Sequence, residues 1–200
     1  MIVLRCTAKL LKRLRQPAKP PEPPPTANPL GEWYADMDFF DREPFVVMLN
    51  AATGATLVLP GRAKDLRDLH GHAGQQLAKL FVHFGFDTRQ PGVAAELAAW
   101  NAPPSYAKTL DRSLVGTLNR MRLELWHYFA HGNPSLPEAA ARQWEGLFTH
   151  VSLPRHPRIR SNTWRPIDLV QMRLGSESAE ELADEPRTRL HLVWDSSKPH

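Results

Sequence analysis

Lys108, Thr109, Arg112, Ser113 and Asn119 fall close together in the stretch that follows Tyr106, AKTLDRSLVGTLNRMRLELWHYFAH. Two cations, two hydroxyls and an amide at the start of a helix can hold an anion or a phosphate. The cations supply charge, the hydroxyls donate, and the first turn of a helix has unpaired amides. No glycine-rich run precedes Lys108, so the block is not a P-loop. A structural reading stands beside this one: Asp111 or Ser113 caps the helix, Gly116 admits a close neighbour, and Asn119 bonds a loop.

Further along the same helix Arg120, Glu124, His127 and His131 follow at steps of four, three and four, which places them on one face. The HExxH order of a zinc protease is missing, because the glutamate precedes the first histidine by three. The stripe reads as an ion-paired surface, with no metal and no cofactor expected. A third group is basic. Lys9, Lys12 and Arg13 lie near the N-terminus. Arg155, Arg158, Arg160 and Arg165 surround Trp164. Arginines interleaved with an aromatic suit phosphates and unstacked bases, and equally an acidic partner protein. Asp36 and Asp38 share a strand face by the two-residue period and read, with Asp41, as a solvated acidic face. Cys6 is the single cysteine. It excludes an intramolecular disulfide, fits a reducing cytoplasm and reads as a small buried hydrophobe. No Ser-His-Asp order, Rossmann fingerprint or paired-cysteine site appears.

The chain has 200 residues and a net charge of +4, enough for one substantial domain with a mild basic bias. No apolar run is long enough to span a bilayer, and Arg5 interrupts the apolar N-terminus, so neither an anchor nor a signal peptide is expected.

The elements that must position these groups follow from hydrophobic periodicity. Ile2 to Cys6 predicts a strand and Ala8 to Arg15 a short basic helix with Leu10, Leu11 and Leu14 inward. Residues 17–29 are proline-rich and read as an extended spacer. Trp33 to Phe40, Phe45 to Leu49 and Thr56 to Leu59 are strands separated by turn residues, and such closely spaced strands pair antiparallel. Ala63 to Phe84 predicts a helix that Gly71 and Gly74 weaken. It is closed by Gly85. Val93 to Trp100 is a short helix. Leu114, Leu118, Met121, Leu125 and Tyr128 form the inner stripe of the longest helix, flanked by Trp126. Pro137 opens another helix, and Pro166 starts the last one, Ile167 to Leu174. Residues 176–186 are acidic, and Arg189 to Trp194 alternates like a terminal strand.

Four blocks carry a resemblance: MIVLRCTAKLLKRL at the start, GEWYADM after the prolines, VVMLNAATGATLVLP, and AKTLDRSLVGTLN. Together they resemble a small bacterial family of uncharacterised domains that share a MIVLRCT-like strand and a KTxxRSxxGxxN block. The resemblance runs to about Gly175. Members carry an acidic residue after the asparagine, where this chain has Arg120. The resemblance implies no activity.

These readings predict a single α+β domain over residues 1–175, an antiparallel β-meander packed against several helices, with residues 176–200 as an acidic extension. The expected function is a cytoplasmic, non-catalytic module that binds nucleic acid or an acidic partner in a toxin–antitoxin or defence-type system. The alternative is an enzyme acting on a phosphate-containing substrate, nucleotide or RNA, through Lys108 to Asn119.

Overall fold

The computed structural model describes residues 1–132, 134–150, 153 and 161–175. The apolar start of the chain forms β1 (Val3–Cys6), buried along its whole length. Thr7 then caps α1 (Ala8–Arg13) by accepting from the Leu10 amide at 3.4 Å. The proline-rich stretch returns the chain to the start of β2. It is no free spacer: Glu22 pairs with Arg5 at 2.7 Å, and the Asn28 amide donates to Glu96 at 2.8 Å.

Three antiparallel strands follow, β2 (Trp33–Phe40), β3 (Glu43–Asn50) and β4 (Thr56–Pro60), in the register Tyr34↔Leu49 and Leu49↔Thr56. The first hairpin turns on Asp41 and Arg42, both at positive φ, the backbone that matches strand twist in a two-residue turn. In the second, the Asn50 carboxamide accepts from the Ala52 and Thr53 amides, and Gly54 takes φ 73°. A Cβ on Gly54 would stand 2.3 Å from the Phe148 ring. Gly54→Ala is therefore expected to lower stability by about 1–2 kcal/mol in a urea titration, from left-handed strain together with displacement of that ring.

A 3-10 turn, Asp65–Asp68, leads into α2 (Leu69–His83), which Gly71 and Gly74 do not break. Gly74 instead admits Trp100, whose Cβ lies 2.9 Å from where an alanine methyl would be. Gly85 closes the helix at φ 76°, as expected. Then come α3 (Pro91–Ala99), β5 (Ser105–Lys108), the long α4 (Arg112–Gly132) and α5 (Leu136–Glu145), the last opened by a Ser135–Glu138 capping box. A small ribbon of β6 (Phe148–Thr149) and β7 (Thr163–Trp164) precedes α6 (Pro166–Leu174).

The fold is α+β, one domain in which a meander-like sheet packs against several helices. The sheet order is β4-β3-β2-β1-β5. It is mixed, because β1 pairs parallel with both β2 and β5. The Ser105–Lys108 stretch, a polar lead-in by its composition, is thus an edge strand. Opposite faces of β2 are covered by different helices. Tyr34, Asp36 and Asp38 face α4 and the residues that lead into it. Trp33 meets Trp100 edge-on at 5.7 Å, and the Phe39 ring meets Lys9 and Arg13 of α1. At the other end of the sheet, side chains close the exposed edge of β4. Gln76 donates to the Val58 carbonyl and accepts from its amide, and the Trp144 indole donates to the Thr56 carbonyl. Pairing outward groups in this way keeps the edge from templating another strand. Among the described residues no helix is long and apolar enough to cross a membrane.

Candidate functional site

The carboxyl ends of β1 and β5 lie side by side, with Cys6 beside Lys108. From these ends the chain leaves to opposite faces: α1 covers the Phe39 side, α4 the Asp36 side. Ligand crevices in open sheets form where neighbouring parallel strands part in this way. The block from Lys108 to Ser113 sits there.

Asp111 governs its geometry. One carboxylate oxygen accepts from the Ser113 amide at 2.7 Å and the Leu114 amide at 3.2 Å, and the Asp111 amide donates to the Tyr34 hydroxyl oxygen at 3.3 Å. The expected cap is therefore Asp111. It also takes up first-turn amides that an anion would have used, so the helix start contributes less to an anion site than the residue types implied. Lys108 and Arg112 are exposed, and among the described residues no hydrogen bond or ion pair engages either side-chain cation. Thr109 is half-buried between them. Ser113 has a partner that sequence order concealed: its Oγ lies 2.9 Å from His150 Nε2. His150 is 5% exposed, its amide donates to the Asn162 carbonyl, and its ring stacks parallel to Phe148.

Gly116 does not admit a close neighbour. Among the described residues nothing lies within 4 Å of a Cβ built there, and the residue is exposed. Among the described residues Asn119 bonds no loop; its Oδ1 accepts from Arg122 at 3.0 Å. Arg122 is the residue that sequence reasoning missed. Its guanidinium donates to Asp36 at 2.6 Å and to Asp38 at 2.8 Å, and Thr7 donates to the other Asp36 oxygen at 2.5 Å. Asp36 is 4% exposed, so the pair of aspartates is not a solvated face. A buried carboxylate must be paired with a cation or satisfied by hydrogen-bond donors, but the burial of Asp36 is not marked in the local sequence, so no signal there pointed to an arginine on the facing helix. The network is a positioning device: it locks α4 onto β2 and thereby sets where Arg112 and Ser113 emerge.

A second polar surface lies at the far end of β2. Lys9 and Arg13 stand 5.4 and 5.9 Å from the centre of the Phe39 ring. On the other side of the strand the Trp126 indole donates to the Phe39 carbonyl at 2.6 Å and meets Phe40 edge-on, while 47% of the tryptophan remains exposed. Lys9 is less solvated than its place on a basic face implied, since its ammonium donates to the Met37 carbonyl and lies 3.8 Å from Asp38. Lys12 is exposed.

The other basic group is not assembled as expected. Trp164 is 1% exposed and packed in the core, because β7 turns it inward against the small ribbon; its ring cannot stack on a base from there. Arg165 pairs with the buried Asp168 at 2.5 Å across the first turn of α6. Arg155, Arg158 and Arg160, like residues 176–200, lie outside the described residues. The Arg120 stripe is exposed and ion-paired to Glu124 at 3.6 Å, with the His131 ring bonded to the His127 carbonyl. Among the described residues no group of three or more His, Cys, Asp or Glu has the arrangement of a metal site. Cys6 is fully buried, and burial pushes its thiol far above the usual range, which makes it inert.

No curated protein and no solved structure matches the chain. One family profile does, over residues 3–151, the family described as "Domain of unknown function (DUF6933)". The match takes in the sheet, α4 and both polar surfaces, and the chain belongs to that family.

Proposed function

We propose that this member of the DUF6933 family is a binding module whose ligand is single-stranded nucleic acid, working in a reducing cytoplasm. The observation that carries the reading is the half-exposed Trp126 indole anchored to the end of β2, where the cations of α1 lie on Phe39. Rigid aromatic rings beside arginine and lysine are what sequence-tolerant strand binders use: cations follow the phosphates and bases stack on the rings. The aromatic of this surface is Trp126, in place of the buried Trp164. Lys108 and Arg112 extend the positive surface at the other end of α4, where a second phosphate can be held.

The test is fluorescence anisotropy with a labelled mixed-sequence single-stranded RNA, titrated in salt. The wild-type affinity should fall linearly on a log–log plot. Changing Lys12 and Arg13 together to glutamine should reduce the slope by about 0.7 for each phosphate no longer neutralised. Trp126→Ala should weaken binding by about 1–3 kcal/mol at every salt concentration, the usual worth of one stacked base. An absence of binding at low salt, or binding indifferent to all three changes, would overturn the reading. Salt-sensitive binding to an acidic polypeptide in place of RNA, unaffected by Trp126→Ala, would assign the surface to a protein partner.

A further inference from the structure

We infer that Ser113 and His150 form a nucleophile–base pair that attacks phosphate esters. The Ser113–His150 pair is separate from the Phe39–Trp126 surface and shares with the binding reading only the cations Lys108 and Arg112, so labelling of Ser113 and binding through Trp126 can fail independently. Ser113 is exposed on the first turn of α4, and its Oγ is 2.9 Å from Nε2 of an imidazole held almost wholly inside the protein. The ring has little freedom to leave. Its backbone is tied to Asn162 at 3.2 Å as a continuation of the β6–β7 ribbon, and Phe148 stacks parallel to it at 6.2 Å. A reachable hydroxyl in front and a fixed base behind it is the geometry that activates serine. The two residues are 37 positions apart and come from different elements, so neither helix capping nor local turn chemistry accounts for the contact. Asp111 already caps the helix.

The neighbouring charge decides the substrate class. Arg112 adjoins Ser113 in the chain, Lys108 ends the neighbouring strand, and both cations are exposed. They favour an anionic ester and the extra negative charge that gathers on its oxygens during attack. In the reaction, the Ser113 proton passes to His150 Nε2 as Oγ bonds to phosphorus. The ester oxygen then leaves and takes that proton back from His150. Water next attacks the phosphoseryl intermediate and gives one proton to Nε2. That proton passes to the departing Oγ, so serine is regenerated and phosphate is released. No oxidant or reductant is needed.

The experiment treats the full chain with a fluorophosphonate, which is neutral and loses fluoride to an activated serine. Peptide mapping should find one adduct, on Ser113, absent from Ser113→Ala. His150→Gln, which retains a hydrogen-bonding group but no base, should slow labelling by about 100-fold or more. Should His150→Gln fail to fold by circular dichroism, His150→Asn, a shorter amide that also lacks a base, decides: it must fold and show the same slowing. No adduct, an adduct elsewhere, or a folded His150→Gln or His150→Asn that labels normally would each overturn the pair. Among p-nitrophenyl esters the phosphate should turn over faster than the acetate, and Arg112→Gln should slow only the phosphate. Preference for the acetate, indifferent to Arg112→Gln, would overturn the substrate class.

Discussion

Glu96→Ala is expected to destabilise the fold by about 4 kcal/mol in urea denaturation. The carboxylate is completely buried and accepts from the Asn28 side chain, the Leu30 amide at 2.9 Å and the Trp100 indole at 3.1 Å. Truncation orphans all three donors in the interior, at about 1–3 kcal/mol apiece before relaxation. It also unties the proline-rich stretch from α3. Glu96→Gln should lose less, because its carbonyl retains one or two donors while its amide meets another donor head-on. The same site sets a pH dependence. Desolvation raises the Glu96 carboxyl above the usual value of 4.5, against the opposing pull of the Leu30, Asn28 and Trp100 donors. The folded state therefore binds the proton more tightly than the unfolded chain. Its contribution is fully present below the usual carboxylate value and is lost as pH rises through the raised one. The stability of wild type relative to Glu96→Gln should accordingly fall with rising pH over that window. A difference independent of pH, or one that grows toward neutrality, would contradict the assigned shift.

Arg122→Ala is expected to cost about 3 kcal/mol, well beyond the value of a surface ion pair. The loss comes from Asp36, which stays buried with only the Thr7 hydroxyl for company, and to a smaller degree from the more exposed Asp38. Adding Asp36→Asn to Arg122→Ala should recover more than half of the loss, because the uncompensated charge is then gone. Equal stability of Arg122→Ala and wild type would show that the network carries no net weight. Because Arg122 sets the seat of α4, the same variant should also slow fluorophosphonate labelling of Ser113, although Arg122 itself touches neither Ser113 nor His150.

Alternation, turn residues and caps were enough to specify the local elements. The three strands of the meander, the C′ role of Gly85, the capping role of Asp111 and the inner stripe from Leu114 to Leu125 all follow from side-chain period and local hydrogen bonding. Burial of Cys6 was equally legible, since a lone cysteine in an apolar strand with no base beside it reads as a small buried hydrophobe. Tertiary structure decided the rest, for one reason: its partners are far apart in the chain. Ser105–Lys108 has no strand pattern of its own, and only pairing with β1 makes it one. Arg122 reads as one more polar residue on an amphipathic helix until packing brings it to Asp36 and Asp38, 86 and 84 positions away. Trp164 among its arginines looks like a recognition residue, and the fold buries it because a two-residue ribbon turns the ring inward. Trp126 looks like the flank of a buried stripe, and the fold leaves it half in solvent because it meets β2 only at the strand's last residues, Phe39 and Phe40. Ser113 stands in a block whose polarity is plain from its residue types, but a serine becomes a nucleophile only beside a base, and only the folded chain brings His150 to it.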